Sequence, residues 1–163
     1  MGLGITMFIS KYKKTDEIAL TEQQNFKKDI CEQNFFDKNK PLVLIVEDDP
    51  SIGKLIARIV QRLELMPLVA ENGQESLQML QRNSDNTIAL MIVDLFVPKI
   101  SGKELVERVY KEYPKIKILM MSGYGEDYLH QHGMIDNNTN FIEKPFSLEA
   151  ITDKIKKILS NNL

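Results

Sequence analysis

The chain is poor in cysteine and has no tryptophan. Cys31 is the only cysteine among 163 residues, so no disulfide can form within the chain. Because disulfides brace many small secreted domains, a single cysteine favours a reducing compartment. The chain also lacks any apolar run near the ~18 residues that a membrane-spanning helix needs. We therefore expect a cytoplasmic protein whose own residues make no contact with a membrane.

An excess of charge of either sign is missing as well. The chain has 21 Lys and Arg residues against 23 Asp and Glu residues, which gives a formal net charge of -2. Domains that bind nucleic acid usually carry a clear positive excess, because contacts to the phosphate backbone dominate their affinity. We therefore expect no nucleic-acid partner. The opening segment MGLGITMFIS has neither the basic start nor the length of a signal peptide.

The first 40 residues differ in composition from the rest of the chain. Residues 4–12 fit one strand, and residues 13–40 are polar, with scattered aromatic residues. Within them, Thr21 and Gln24 have the spacing of a capping box, which predicts a short helix over residues 22–31. We interpret residues 1–40 as a leader or linker and residues 41–163 as the folded domain.

From Pro41 onward, short apolar runs alternate five times with amphipathic segments. The runs are rich in branched residues and too short for buried helices, so they predict buried strands at 42–46, 66–70, 88–93, 116–121 and 141–143. Helical spacing predicts helices at 74–82, 103–112, 125–132 and from 148 onward. The predicted apolar face of the last helix consists of Leu148, Ile151, Ile155, Ile158 and Leu159. Another helix is predicted between the first two strands. Its predicted core face is made of Ile52, Leu55, Ile56, Ile59, Val60 and Leu63. This alternation indicates an α/β fold, a parallel sheet with helices on both faces.

Charged and hydroxyl side chains follow four of the predicted strands. Glu47-Asp48 follow the first strand and Asp94 ends the third, while Ser122 follows the fourth and Lys144 follows the fifth. The carboxyl ends of parallel strands meet at one edge of a sheet. Carboxylates that converge there repel one another unless a cation joins them, and Mg²⁺ or Mn²⁺ suits oxygen ligands. A lysine and a hydroxyl beside a carboxylate nucleophile predict an aspartyl-phosphate site.

Other interpretations of these acids remain open at this point. A lone Asp at such a position more often caps a helix or lies in a solvated loop. We expect Asp49 to cap the first helix or to face solvent there. A phosphatase with an aspartate nucleophile, or a Mg²⁺-dependent nuclease with an Asp-x-Asp pair, needs a second Asp two residues after Asp94. Phe96 stands there instead.

Four motifs, in order across residues 42–160, resemble the receiver domains of two-component signalling. They are Val46-Glu47-Asp48-Asp49, Asp94 with Pro98 and Gly102, Met121-Ser122-Gly123, and Phe141-Ile142-Glu143-Lys144-Pro145-Phe146. The resemblance implies a flavodoxin-like (βα)5 doubly wound parallel sheet with strand order 2-1-3-4-5. It also implies a phosphorelay function in which a histidine kinase or histidine phosphotransfer protein gives a phosphoryl group to this chain.

The resemblance implies a role for each residue of the acidic pocket. Asp94 is expected to be the phosphoacceptor, Asp48 a direct Mg²⁺ ligand, and Glu47 a ligand through water. The backbone carbonyl of Phe96 is expected to complete the protein's share of the ligands. Hydrolysis needs water in line with the phosphoryl group. Phe96 and Tyr124, two residues beyond the acceptor and the hydroxyl, are best placed to control the access of this water.

The remaining roles concern the phosphoryl group and the response to it. The resemblance implies that Ser122 and Lys144 hold the phosphoryl oxygens. Phe141 is expected to be an aromatic switch coupled to Ser122. The Lys144–Pro145 peptide bond is usually cis in this family.

Residues 122–127 (SGYGED) and 141–148 look most like receivers attached to hybrid histidine kinases. Residues 2–12 (GLGITMFISKY) are similar to the closing strand of the kinase ATP-binding domain. This similarity implies that residues 1–40 are a remnant of that domain, and that the chain is the C-terminal piece of a hybrid kinase or a relic of one. Because the acceptor-histidine helix is absent, we expect no enzymatic activity beyond two reactions. These are self-phosphorylation from a phosphodonor and self-dephosphorylation. The alternative function is an unphosphorylated receiver-like domain that binds other proteins.

Overall fold

The computed structural model describes residues 40–83 and 88–160. In these residues five strands alternate with five helices, as the sequence predicts. The strands are β1 (Leu42–Val46), β2 (Met66–Ala70), β3 (Ile88–Asp94), β4 (Lys117–Ser122) and β5 (Phe141–Glu143). The helices are α1 (Pro50–Arg62), α2 (Gly73–Arg82), α3 (Gly102–Glu112), α4 (Glu126–Gln131) and α5 (Leu148–Ser160). The elements predicted within residues 1–39 lie outside the described residues, so the leader stays a prediction.

The five strands form one parallel sheet with the order β2-β1-β3-β4-β5. This order confirms the flavodoxin-like (βα)5 topology. The direction in which the strands are added switches between β1 and β3, which leaves a crevice beyond their carboxyl ends. Val46 pairs with Val93 across the two strands, and Asp94 pairs with Met121 of β4. The register therefore brings the residues that follow β1, β3 and β4 to the same edge of the sheet.

The central strands are buried because helices cover both faces of the sheet. Each of the five residues of β1 is buried, and β3 is buried at every position except its second. Each helix contributes one apolar face, on which residues such as Leu80, Leu105, Val109 and Ile155 are fully or almost fully buried. Among the described residues, no helix has the length and apolar character needed to cross a membrane.

Two predicted core positions are wrong. Ile56, Ile59 and Val60 of α1 are buried, but Leu55 is 39 % exposed. Leu55 lies at the edge of the apolar stripe, where the helix surface curves away from the sheet. Leu148 is 48 % exposed, because it is the first residue of α5 and precedes the part of the helix that packs on the sheet.

Asp49 caps α1, as the sequence predicts. Its Oδ1 atom accepts hydrogen bonds from the backbone N–H groups of Ser51 at 2.7 Å and Ile52 at 3.3 Å. These bonds satisfy donors that the first turn of a helix leaves without partners. Asp49 is thereby assigned to the helix terminus rather than to the neighbouring acidic cluster.

Candidate functional site

Three carboxylates meet at the carboxyl edge of the sheet. Glu47 and Asp48 follow β1, Asp94 ends β3, and one oxygen of each lies within 4.8 Å of the others. Glu47 is 2 % exposed and Asp94 is 8 % exposed, whereas Asp48 is open to solvent. Two buried carboxylates and a third at the pocket mouth repel one another, so the cluster needs positive charge beside it.

Lys144 supplies positive charge to this cluster. Its Nζ atom donates hydrogen bonds to Glu47 Oε2 and to Asp94 Oδ2, each at 2.6 Å. Burial lowers the pKa of Lys144, but the bonds to both carboxylates and their charges outweigh it and raise the pKa overall. Burial raises the pKa of Glu47, and the contact with Lys144 offsets that only in part. The Lys144–Pro145 peptide bond is cis.

The orientation of Asp94 is fixed from both sides of its carboxylate. The backbone N–H of Phe96 donates to Asp94 Oδ1 at 2.8 Å, while Lys144 holds the other oxygen. Helix α3 packs directly behind this segment, because Gly102 has no side chain. A Cβ atom at Gly102 would lie 2.3 Å from the Asp94 carbonyl oxygen and 2.5 Å from Leu95 Cα. Glycine is therefore required where α3 begins against the end of β3.

Ser122 lies at the end of β4, next in the sheet to β3, and is fully buried. Its Oγ atom accepts a hydrogen bond from the backbone N–H of Tyr124 at 2.9 Å, which leaves its own hydrogen to donate. The Ser122 carbonyl accepts from the Lys144 N–H at 2.7 Å. Gly123 has open space where a side chain would lie. The hydroxyl and the lysine thus lie at the carboxyl ends of the neighbouring strands β4 and β5.

Phe141 is 6 % exposed and begins β5, where it pairs with Met120. Its carbonyl oxygen accepts a hydrogen bond from Lys154 Nζ of α5. The residue proposed as a switch is therefore part of the core, two register positions away from Ser122, which pairs with Glu143. No signal in the sequence indicated the contact with Lys154, because it depends on where a flexible side chain of α5 reaches.

Comparison with known proteins identifies the family of this fold and pocket. The protein-family model described as the response regulator receiver domain matches residues 43–156 of the chain. The chain belongs to this family. It is a receiver domain of two-component signalling, as the four sequence motifs imply.

Curated relatives of this receiver domain include hybrid kinases. Hybrid signal transduction histidine kinase D of Dictyostelium discoideum is 24 % identical over 161 residues, which are 98 % of this chain and 10 % of that protein. Sensor kinase CckA of Brucella abortus is 28 % identical over 117 residues, which are 72 % of this chain and 12 % of that protein. The receiver domain thus spans about a tenth of the length of these two relatives.

Solved structures with the same fold include other receivers. The chemotaxis response regulator CheY4 of Vibrio cholerae superimposes with a TM-score of 0.65 at 25 % identity, over 74 % of this chain and 100 % of that one. A response regulator from Thermotoga maritima gives a TM-score of 0.62 at 26 % identity, over 74 % and 98 % of the two chains. The flavodoxin-like strand order agrees with this likeness.

Two aromatic side chains of this receiver domain lie on the loops that leave β3 and β4. Phe96 and Tyr124 are each 48 % exposed, and their ring centroids are 4.9 Å apart with the planes inclined by 46°. The backbone N–H of Phe96 donates a hydrogen bond to Asp94 Oδ1. The backbone N–H of Tyr124 donates one to Ser122 Oγ. The sequence predicts that both rings lie near the pocket, but not that they touch.

Proposed function

We propose that this receiver domain accepts a phosphoryl group on Asp94 from a phosphohistidine. The donor is a histidine kinase or a histidine phosphotransfer protein. An Asp94 oxygen bonds to phosphorus as the phosphorus–nitrogen bond breaks, and the electron pair leaves with the imidazole. The observation that carries the proposal is the pairing of the Asp94 carboxylate with the Lys144 ammonium at 2.6 Å. This places fixed positive charge beside the oxygen that receives the phosphoryl group.

Ser122 and Lys144 are the groups proposed to hold the phosphoryl oxygens. The Lys144 ammonium already contacts the acceptor carboxylate, and the Ser122 hydroxyl keeps a hydrogen to donate. We propose Phe141 as the switch that responds when Ser122 turns towards the phosphoryl group. The surface that would change is formed by α4, β5 and α5.

We propose Mg²⁺, or Mn²⁺ in its place, as the cofactor of this pocket. Glu47, Asp48 and Asp94 offer carboxylate oxygens within 4.8 Å of one another, and the backbone carbonyl of Phe96 is the fourth proposed ligand. Hard oxygen ligands, with a solvent-exposed acid at the mouth for water, fit such ions. A bound divalent ion would neutralise the carboxylates and the charge that develops on the phosphoryl oxygens.

The proposed activity includes no turnover beyond self-phosphorylation from a donor and self-dephosphorylation. We place it in the cytoplasm, because phosphohistidine donors obtain their phosphoryl group from ATP.

Residues 1–40 are proposed to correspond to the segment that precedes the receiver in hybrid kinases. The alignment with the Dictyostelium kinase covers 98 % of the chain, whereas the family model begins at residue 43. The coding sequence upstream of residue 1 tests this proposal.

Acetyl phosphate or phosphoramidate with Mg²⁺ should add one phosphoryl group to the protein. Intact-mass measurement detects the added group, and peptide mapping after borohydride reduction of the acyl phosphate locates it. Chelation of the metal should abolish labelling, because the carboxylates then keep their mutual repulsion. Mn²⁺ should restore it. A folded protein that takes no label from either donor would instead favour the unphosphorylated interaction domain.

Phe96→Asn should shorten the half-life of the phosphorylated protein several-fold, an effect of about 1 kcal/mol on the barrier. Phe96 and Tyr124 obstruct the in-line approach of water and carry no amide or carboxylate to orient it. Asparagine removes one ring and adds an amide beside the phosphoryl group. Decay of the label in Mg²⁺ after removal of the donor measures the half-life. Phe96→Tyr keeps the ring and serves as the control, whereas a longer half-life in Phe96→Asn contradicts the obstruction.

A further inference from the structure

The aromatic contact beside the site continues along the surface of α4. Tyr124 stacks on Tyr128, with ring centroids 4.9 Å apart and planes inclined by 22°. Tyr128 stacks in turn on His132, at 4.0 Å and 26°. Together with Phe96, these residues form a column of four rings, here called the aromatic column. Tyr124, Tyr128 and His132 are spaced by four residues, so they lie on one face of α4 and its flanking residues.

The end of the aromatic column farthest from the pocket is tied to the backbone. The Nδ1 atom of His132 lies 2.8 Å from the Tyr128 carbonyl oxygen, so this nitrogen donates to the carbonyl. The backbone N–H of His132 bonds to the same oxygen at 3.1 Å. Just beyond it, Lys103 Nζ of α3 donates to the Gly133 carbonyl at 2.9 Å. The Nδ1 hydrogen bond therefore restrains the His132 ring, on which Tyr128 stacks.

Tyr124 is the ring whose position needs such support. It is 48 % exposed, and an exposed aromatic side chain without neighbours exchanges between staggered rotamers. The helix that follows it is short, with Leu129 as its buried residue. Stacking on Tyr128 restricts the rotamers of Tyr124, whose ring centroid also lies 4.9 Å from that of Phe96.

We propose that Tyr128 and His132 are positioning residues that hold Tyr124 against Phe96 and thereby prolong the life of phosphorylated Asp94. The inference rests on the proposed function. In the hydrolysis that the pair slows, a water oxygen bonds to phosphorus as the bond from phosphorus to the Asp94 oxygen breaks. The carboxylate is regenerated, and inorganic phosphate leaves with both protons of the water. The rate of this hydrolysis then depends in part on the ring of His132, which lies about two helical turns from Tyr124.

The half-life of the phosphorylated protein tests the aromatic column. Tyr128→Leu should shorten it about threefold and His132→Ala about twofold, because each removes a stacking partner. Tyr128→Phe keeps the ring and should behave as the wild type. Tyr110→Leu removes a tyrosine of α3 that is 50 % exposed and lies outside the column, and it should also match the wild type. Thermal unfolding confirms that each variant is folded.

A double-mutant cycle separates positioning from a general loss of structure. In the Phe96→Asn background the Tyr124 ring has lost its contact, so Tyr128→Leu should add little to the decay rate. Full additivity of the two substitutions overturns the inference. Unchanged half-lives in Tyr128→Leu and His132→Ala overturn it too, as does an equal effect of Tyr128→Phe and Tyr128→Leu.

A second measurement uses the protein without phosphate. Proton NMR should show cross-peaks between the rings of Phe96 and Tyr124 in the wild type and in Tyr128→Phe. These cross-peaks should weaken in Tyr128→Leu. If they persist there at full strength, Tyr128 does not position Tyr124 and the inference is wrong. Because this result needs no label, it decides the inference even if the wild type takes no phosphoryl group, an outcome that contradicts the proposed function instead.

Discussion

Asp94→Asn should take up no detectable phosphoryl group under conditions that label the wild-type protein. The asparagine side chain keeps the size of aspartate and an oxygen that can accept the bond from the Phe96 N–H, which is 2.8 Å long in the wild type. An amide, however, lacks the negative charge of the nucleophile, and it ends the ion pair with Lys144. Intact-mass measurement after incubation with acetyl phosphate and Mg²⁺ gives the result directly.

Asp49→Asn is the matched control for this experiment. It makes the same chemical change in the same acidic region, at a residue whose side chain caps α1. Asparagine caps helices about as well as aspartate, so the variant should fold and be labelled like the wild type. Full labelling of Asp94→Asn would place the acceptor elsewhere in the chain. Loss of labelling in both variants would show that the effect of Asp94→Asn is not specific to the Asp94 carboxylate.

The positions of the strands could be predicted closely from the sequence. Strands β1, β2 and β5 have the predicted bounds, because each is a compact apolar run between residues that end it. Parallel pairing then sends the carboxyl ends of the strands to one edge. For this reason the sequence alone predicts that Glu47, Asp48 and Asp94 lie together, as the structure has them.

Side-chain contacts that join separate elements could not be predicted in the same way. Periodicity gives the direction of a helix face but not the width of its contact, which is why Leu55 was wrongly assigned to the core. The contact between Phe96 and Tyr124 joins two loops and depends on the rotamers of both rings. The motifs predict Lys144 beside Asp94 but not its second hydrogen bond, to Glu47, since a motif names residues and not all of their partners.

Lys144→Met should lower the rate of labelling at Asp94 by about a hundredfold, which is about 2.7 kcal/mol of charge stabilisation. Methionine has a similar length and flexibility but no charge, so the phosphoryl oxygens lose their ammonium partner. The hydrogen bonds to Glu47 and Asp94, each 2.6 Å long, are lost as well. The pKa of Glu47, already raised by burial, should rise further because the hydrogen bond and the charge of Lys144 are the largest effects that lower it.

The same substitution should change metal affinity in the opposite direction. In the wild type, the ammonium and a divalent ion compete for the oxygens of Glu47 and Asp94, so removal of Lys144 should make Mg²⁺ bind several-fold more tightly. Calorimetric titration with Mg²⁺ measures this affinity, and labelling is followed by mass. Lys156→Met removes an exposed lysine of α5 and controls for the change in net charge. Tighter metal binding with slow labelling would separate the two roles of positive charge in this pocket: the metal neutralises the carboxylates, and Lys144 serves the phosphoryl group. Labelling of Lys144→Met at the wild-type rate would contradict that division.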